Sequence, residues 1–282
     1  MSWTSKLAAA PALWLIGFVA GPLLAVLVTA FLSRGEFGEL KLVFTLDSFW
    51  RALGFGEFGY DPLYAEILAR SAVIAALSTG LCLALALPIV FFIAKAPGRL
   101  RPFLLFLLMV PFWTNLVIRT YAWQLILAPE GWLASTLFAL GIIGDRNDLY
   151  PSLFAVCVGL TSDFLPFLAL PLYSSVEKID WSLTDAARDL GARPRQVFRH
   201  AILPQIMPGM IAGCVLTFIP ILGSFVVSDL LGGAKTILIG NVITQQFAVS
   251  QDWPFGATLA LILALVSLVG IYLVRGRLEA RA

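Results

Sequence analysis

Two charged residues, Arg119 and Asp163, sit inside long apolar stretches of this sequence, and that setting limits what they can do. A charge at mid-bilayer costs on the order of 3 kcal/mol or more, so each needs a partner or a use. One reading pairs the two and locks their stretches together. The other puts one or both on a polar pathway, with Asp163 attracting a cation. Arg119 lies about eight residues from the end of its stretch taken below as outer, roughly 12 Å at 1.5 Å per residue. Asp163 lies about twelve residues from the outer end of its own stretch, roughly 18 Å. An extended Arg side chain bridges that difference. Asn115 stands one helical turn below Arg119 on the same face, and Trp123 one turn above it. Without a His, Lys or Cys beside them, Asn115, Arg119 and Asp163 do not make the catalytic cluster of a membrane-embedded enzyme. The lone His200 has no second His or Cys nearby, so no metal site is expected. Cys82, Cys157 and Cys214 each fall in an apolar stretch with no C-x-x-C pattern, where a thiol acts as a small apolar residue. No G-x-x-x-x-G-K-[ST] phosphate loop is present, so no nucleotide or other cofactor is expected on this chain.

The elements that position these residues follow from composition. Of 282 residues, 60% are hydrophobic and 13% charged, against about a quarter charged in a soluble domain. Uninterrupted apolar stretches of about 20 residues read as membrane spans. In lipid the backbone must satisfy its own hydrogen bonds, so the spans are helices. The expected fold is an all-α membrane protein with six transmembrane helices, at about 11–32, 70–94, 102–127, 151–174, 205–228 and 255–274. The first run, Pro11 to Leu32, exceeds the usual 7–15 residues of a signal-peptide core and reads as an uncleaved span, although Val28-Thr29-Ala30 loosely resembles a cleavage site.

Lys and Arg set the orientation. With the N-terminus inside, the inner segments hold twelve basic residues: Lys6, Lys95, Arg99, Arg101, Lys178, Arg188, Arg193, Arg195, Arg199, Arg275, Arg277 and Arg281. The outer segments hold six, Arg34, Lys41, Arg51, Arg70, Arg146 and Lys235. Both termini are therefore expected in the cytoplasm, with the 175–204 segment beside them. A net charge of +2 is too small to argue for nucleic acid. The outer segment 33–69 is rich in Gly and aromatics, Phe37, Phe44, Trp50, Phe55, Phe58 and Tyr60 among them. It reads as an amphipathic element on the membrane surface or a loop over the spans, with Asp47 or Ser48 as candidate N-cap of a short helix.

Between spans four and five lies a polar, basic segment with its own punctuation. Ser182 and Thr184 are candidate caps of a short helix over 183–190 that carries Asp185 in its first turn. Gly191 suits the position just past its end. Pro194 suits the first turn of a second short helix, running to Pro204. Gly209 and Gly213 form a small-xxx-small face for close helix contact, and Pro220–Gly223 is a candidate hinge.

Asp185-Ala186-Ala187, Gly191 and Leu203-Pro204 at this spacing resemble the ATPase-coupling (EAA) loop of permeases in binding-protein-dependent ABC importers. Across nearly the whole chain, Val110-Pro111-Phe112-Trp113-Thr114-Asn115, Leu165-Pro166-Phe167, Pro171-Leu172-Tyr173, Gly232-Gly233-Ala234-Lys235, Ile239-Gly240-Asn241-Val242 and Asp252-Trp253-Pro254-Phe255-Gly256-Ala257 look like the spermidine/putrescine importers, most of all the first of their two permeases. Two departures stand out: Asp185 where the family has Glu, and Ala201 where it has Ile. The resemblance implies a bacterial inner-membrane permease forming half of a pathway for a small cationic solute. Its implied partners are a second homologous permease in a heterodimer, a cytoplasmic ATPase dimer that binds the ATP and Mg, and a periplasmic solute-binding protein. Residues 1–65 would be a first helix with a periplasmic segment, and 66–282 the permease core with its coupling loop at about 177–204. Alternative readings are the same machinery carrying a phosphonate, an opine-like conjugate or ferric iron, or a secondary transporter.

Overall fold

The computed structural model of the chain describes residues 3–35, 38–56, 59–233 and 236–279. Of the residues named above, Phe37, Phe58, Ala234, Lys235 and Arg281 lie outside these. In chain order the elements are α1 (Trp3–Ala30), β1 (Leu32–Arg34), β2 (Leu40–Phe44), α2 (Asp47–Ala52), β3 (Phe55–Gly56), β4 (Gly59–Tyr60), α3 (Leu63–Lys95) and α4 (Arg101–Met109). A 3-10 turn over Val110–Trp113 leads to α5 (Leu116–Leu127), α6 (Trp132–Ala139), a second 3-10 turn at Arg146–Asp148, α7 (Leu153–Val176), α8 (Trp181–Asp189) and α9 (Pro194–Val197). A π-helical turn, Phe198–Ile202, joins α9 to α10 (Leu203–Leu222), and another, Ser228–Gly232, precedes α11 (Ile239–Ala248) and α12 (Trp253–Glu279).

Helix accounts for 76% of the fold. Four helices are long and apolar enough to cross a membrane: Leu63–Lys95, Leu153–Val176, Pro194–Leu222 and Trp253–Tyr272. The span expected at 102–127 is broken. Arg101–Trp113 and Leu116–Ala139 qualify only as a pair, and they meet at 89°. The run expected at 11–32 falls on α1, whose described apolar stretch Trp14–Ala30 is shorter than the other four. The described helices thus supply four spans, or five with the broken pair, where six were expected.

The chain divides into two compact units, Met1–Leu68 with Val242–Leu268, and Ala69–Asn241 with Val269–Ala282. In the first unit the described part of the Gly- and aromatic-rich segment after α1 holds two short β-ribbons and the helix α2. β1 pairs antiparallel with β2, Leu32 opposite Phe44, and β3 pairs antiparallel with β4, Phe55 opposite Tyr60. α2 begins at Asp47, but neither Asp47 nor Ser48 caps it. Leu46 holds the cap position with no side-chain bond, the Asp47 amide donates to Thr45 Oγ1 at 3.2 Å, and Ser48 is buried.

One acid ties this segment down. Asp252 is the buried N-cap residue before α12, accepting from the Phe255 amide through Oδ1 at 3.2 Å. Its Oδ2 takes Arg51 Nη1 at 2.9 Å and lies 3.8 Å from Arg34 Nη1. Arg34 Nη2 also donates to the Ser250 carbonyl at 2.7 Å, and the Arg51 guanidinium stands 4.2 Å over the Phe255 ring.

In the second unit, Cys82, Ala86, Val90 and Ile93 of α3 pack with Leu168, Leu172 and Val176 of α7, Ile179 and Ile206 as one apolar core. α7 and α10 approach almost backbone to backbone, as the small-xxx-small face predicts. A Cβ on Gly209 would stand 2.4 Å from the Pro171 carbonyl oxygen, and one on Gly213 2.7 Å from that of Leu168. Those atoms are backbone and cannot swing aside. Gly213→Leu is therefore expected to destabilise the permease by about 1–3 kcal/mol, the usual range for overpacking. A lower melting temperature in detergent or nanodiscs checks this, and an unchanged one refutes it.

Candidate functional site

The segment between α7 and α10 folds as two short helices about Gly191. α8 starts earlier than its Ser and Thr residues suggest, because Asp180 is its cap. Asp180 Oδ1 accepts from the Ser182 amide at 3.0 Å and from Ser182 Oγ at 2.7 Å, and the Asp180 amide donates to Gln205 Oε1 at 2.8 Å. Thr184 instead turns inward, buried, its hydroxyl donating to the Trp181 carbonyl at 2.6 Å. The bonds from Ser182, hydroxyl first and then amide, hold the Asp180 carboxyl below its usual range. The stabilisation is thus present above the ordinary carboxylate pKa of about 4 and is lost as pH falls through the depressed folded value. At neutral pH, Asp180→Ala should fray the first turn of α8, read as faster amide hydrogen exchange over 181–185. Unchanged exchange would rule the cap out.

α8 ends where Gly191 was placed by the sequence. Gly191 takes φ +79°. Its amide donates to the Arg188 carbonyl at 2.8 Å, and the Ala192 amide reaches back to Ala187 at 3.1 Å. These two bonds are the Schellman closure, which needs a left-handed residue and so favours Gly. Pro194 opens α9 as expected, with the Arg193 amide donating to Gln196 Oε1 at 2.8 Å.

The second short helix does not stop at Pro204. It widens into the π turn Phe198–Ile202, where the Leu203 amide donates to the Phe198 carbonyl, and continues as α10. Pro204 has no amide and its ring would crowd the carbonyl four residues back, so a wider turn lets the helix pass through it. Asp185, Ala186, Gly191 and Pro204 are exposed, while Ala187 and Leu203 are partly buried. Asp185 has only an exposed contact to Arg188 at 3.4 Å, a type of pair that contributes little. Leu190, at the tip, is 88% exposed.

Arg119 and Asp163 meet. Arg119 Nε lies 2.6 Å from Asp163 Oδ1, with side chains 11% and 1% exposed. The contact is charge against charge, since neither atom is aligned for a hydrogen bond. The other end of the guanidinium does a second job: Nη1 donates to the Pro111 carbonyl at 2.8 Å. Pro111 sits in the 3-10 turn that ends the first half of the broken helix. Thr114 Oγ1 donates to that same carbonyl at 2.6 Å, and Thr114 is extended at ψ 147°. Asn115 caps the second half, its Oδ1 accepting from the Val117 amide at 2.8 Å. Asn115 therefore serves the break itself rather than standing as one more polar group below Arg119. Of the backbone groups that a helix break orphans, Arg119 and Thr114 meet the Pro111 carbonyl and Asn115 meets the Val117 amide.

A second polar knot gathers around Asn241. Asn241 Oδ1 accepts from Ser228 Oγ at 2.6 Å and from the Leu238 amide at 2.9 Å, while its Nδ2 donates to the Phe225 carbonyl at 3.2 Å and to Asp229. It stitches the irregular stretch after α10 to the start of α11. Only the Ile-Gly-Asn-Val run marked it in the sequence. Thr79 and Thr217 carry buried hydroxyls with no hydrogen-bond partner among the described residues.

The model of the family described as binding-protein-dependent transport system inner membrane component matches residues 76–281. The chain is 47% identical over 253 residues to the spermidine/putrescine transport system permease protein PotB of Escherichia coli (strain K12), covering 90% of each. It is 41% identical over 248 residues to the protein of the same name in Haemophilus influenzae, covering 88% of this chain and 84% of that one. In fold it is similar to the crystal structure of a bacterial ABC transporter involved in import of the acidic polysaccharide alginate, with TM-score 0.74 at 16% identity over 98% of this chain and 94% of that one.

Proposed function

The chain belongs to the binding-protein-dependent transport system inner membrane components, and from that premise we propose that its cargo is a polyamine of the spermidine or putrescine kind. It is a multi-pass permease subunit of an ABC importer in the bacterial inner membrane. The identity to the two spermidine/putrescine permeases, spread over nearly the whole chain, is the observation that carries the cargo.

The chain contributes six spans, α1 and the broken pair included, with both termini in the cytoplasm. The twelve-to-six excess of basic residues on that side supports this arrangement. Residues 1–65 supply the first span and a periplasmic segment, and 66–282 the core. A second homologous permease completes the pathway, a periplasmic binding protein delivers the solute, and an ATPase dimer binds ATP and Mg. This chain hydrolyses nothing.

The hairpin of α8 and α9, at about 177–204, is the surface the ATPase grips. Asp185, Ala186, Ala187 and Gly191 form the first helix and its turn, and Leu203 and Pro204 the passage into the membrane. A closed Schellman turn, a capped start and an apolar tip support that role, because a part that transmits force must hold its own shape. Arg119, Asp163 and Asn115 act as a brace at the break of the third span and not as groups that the solute touches. The buried pair and its bond to Pro111 support this.

The test is ATP-dependent uptake in proteoliposomes holding this permease with its partner permease, ATPase and binding protein. Labelled spermidine or putrescine should accumulate only with ATP and binding protein. Uptake of a phosphonate, an opine-like conjugate or ferric iron in their place would overturn the assignment.

A further inference from the structure

We propose that the described residues of the segment after α1, 32–35, 38–56 and 59–60, form an interfacial anchor, seated in the headgroup and upper acyl region of the outer leaflet. This rests on the reading of α1 and α12 as membrane spans with their Ala30 and Trp253 ends outward.

The segment has no freedom to stand away from those span ends. β1 begins two residues after α1 finishes. Thr258 Oγ1, in the second turn of α12, shares its proton between the Pro254 carbonyl at 2.9 Å and the Ala30 carbonyl at 3.2 Å, which keeps the two helix ends at one level. Asp252, the cap of α12, takes Arg51 of α2 and Arg34 of β1. The ribbon and α2 are thus bolted to the outer ends of two spans, at the depth where hydrocarbon gives way to headgroups.

The surface held there suits that depth. Trp50, Phe55 and Tyr60 form a continuous row, with ring centroids 5.6 Å and 5.4 Å apart, and stand 54%, 53% and 67% exposed. β2 is exposed at all five positions, four of them apolar, with Leu42 88% exposed. An antiparallel ribbon in water would alternate polar with apolar and bury one face, and an exposed apolar edge would invite aggregation. Trp and Tyr concentrate at membrane boundaries because each joins an apolar body to a polar tip. Lys41, also exposed on β2, can lay its stem on acyl chains and lift its ammonium to the phosphates. The surface also continues that of α1, where Leu23, Leu24 and Val28 are exposed along the last two turns.

The test places nitroxide labels at single sites, Leu42→Cys and Tyr60→Cys, in the assembled importer in nanodiscs of phosphatidylethanolamine and phosphatidylglycerol. Cys82 and Cys157 are buried, and unsubstituted protein carried through the same labelling sets the background. Power saturation compares accessibility to oxygen, which prefers lipid, with accessibility to a water-soluble nickel chelate. Val28→Cys and Leu265→Cys serve as lipid references and the exposed Asp145→Cys as a water reference. Labels at 42 and 60 should show an oxygen-to-nickel ratio several-fold above that at 145. A ratio equal to that at 145, with 28 and 265 reading lipid, overturns the anchor and leaves the spans standing. Water-like ratios at 28 and 265 as well would instead remove the span assignment on which the anchor rests. Protection from nickel at 42 and 60 that arises only on adding the periplasmic binding protein would make the segment a protein-docking surface and also overturn the proposal.

Discussion

Asp163→Asn should destabilise the permease by about 3–5 kcal/mol, the range for breaking a buried ion pair by removing one partner. The substitution keeps size and shape but leaves the Arg119 guanidinium, 11% exposed, without its counter-charge. Arg119→Leu should be harmful for two reasons, since it strands the Asp163 carboxylate and removes the donor to the Pro111 carbonyl. The double variant Arg119→Leu, Asp163→Asn removes both charges and should recover much of the loss, retaining the part due to Pro111. Melting temperatures of the four proteins in nanodiscs close the cycle, and strict additivity would sink the brace. Uptake separates brace from pathway. If Asp163 only positions, Asp163→Asn protein that remains folded should keep its apparent affinity for solute, and a selective loss of affinity would put the carboxylate on the solute's path.

Leu190→Asp should reduce ATP-driven uptake at least about tenfold without lowering the melting temperature of the isolated permease. The reason is its position. At 88% exposure Leu190 contributes almost nothing to the fold, yet it crowns the hairpin assigned to the ATPase. Burying a Leu side chain stabilises by about 1.5–3 kcal/mol, which corresponds to roughly 10–100-fold in affinity. Co-purification of the ATPase with the variant gives a second readout, and full retention of ATPase and of uptake would move the grip elsewhere. Gly191→Val is a useful companion. A β-branched residue at φ +79° strains the turn itself by roughly 1–2 kcal/mol, so it should loosen the hairpin while leaving the Leu190 surface chemically intact.

Features that depend on one element and its neighbours in the chain were legible in the sequence. Long apolar runs gave α3, α7, α10 and α12, and Gly191 and Pro194 gave the turn between α8 and α9. The meeting of Arg119 with Asp163 followed from depth and reach. What the sequence concealed was set by groups distant in the chain or by choices among near-equal residues. The break at Thr114–Asn115 lies in an apolar run; at its corner Arg119 and Thr114 satisfy the Pro111 carbonyl and Asn115 the Val117 amide. Asp180 outcompeted Ser182 and Thr184 as cap because Gln205, 25 residues on, fixes its amide. The ribbons after α1 depend on Asp252, some 200 residues away, which no local pattern announces.

The close seating of Gly209 and Gly213 on α7 has a mechanical consequence. Two helices whose backbones interlock without intervening side chains resist sliding, so they tilt as a single stiff body. The helical run Pro194–Leu222 has 29 residues, about 43 Å at ~1.5 Å per residue. Over that length a tilt of about 10° carries one end roughly 7 Å relative to the other, by the same rise per residue. Under the proposed coupling role, displacement at the hairpin would be carried by α7 and α10 together, and the pair would work as a lever whose stiffness comes from the side chains it lacks.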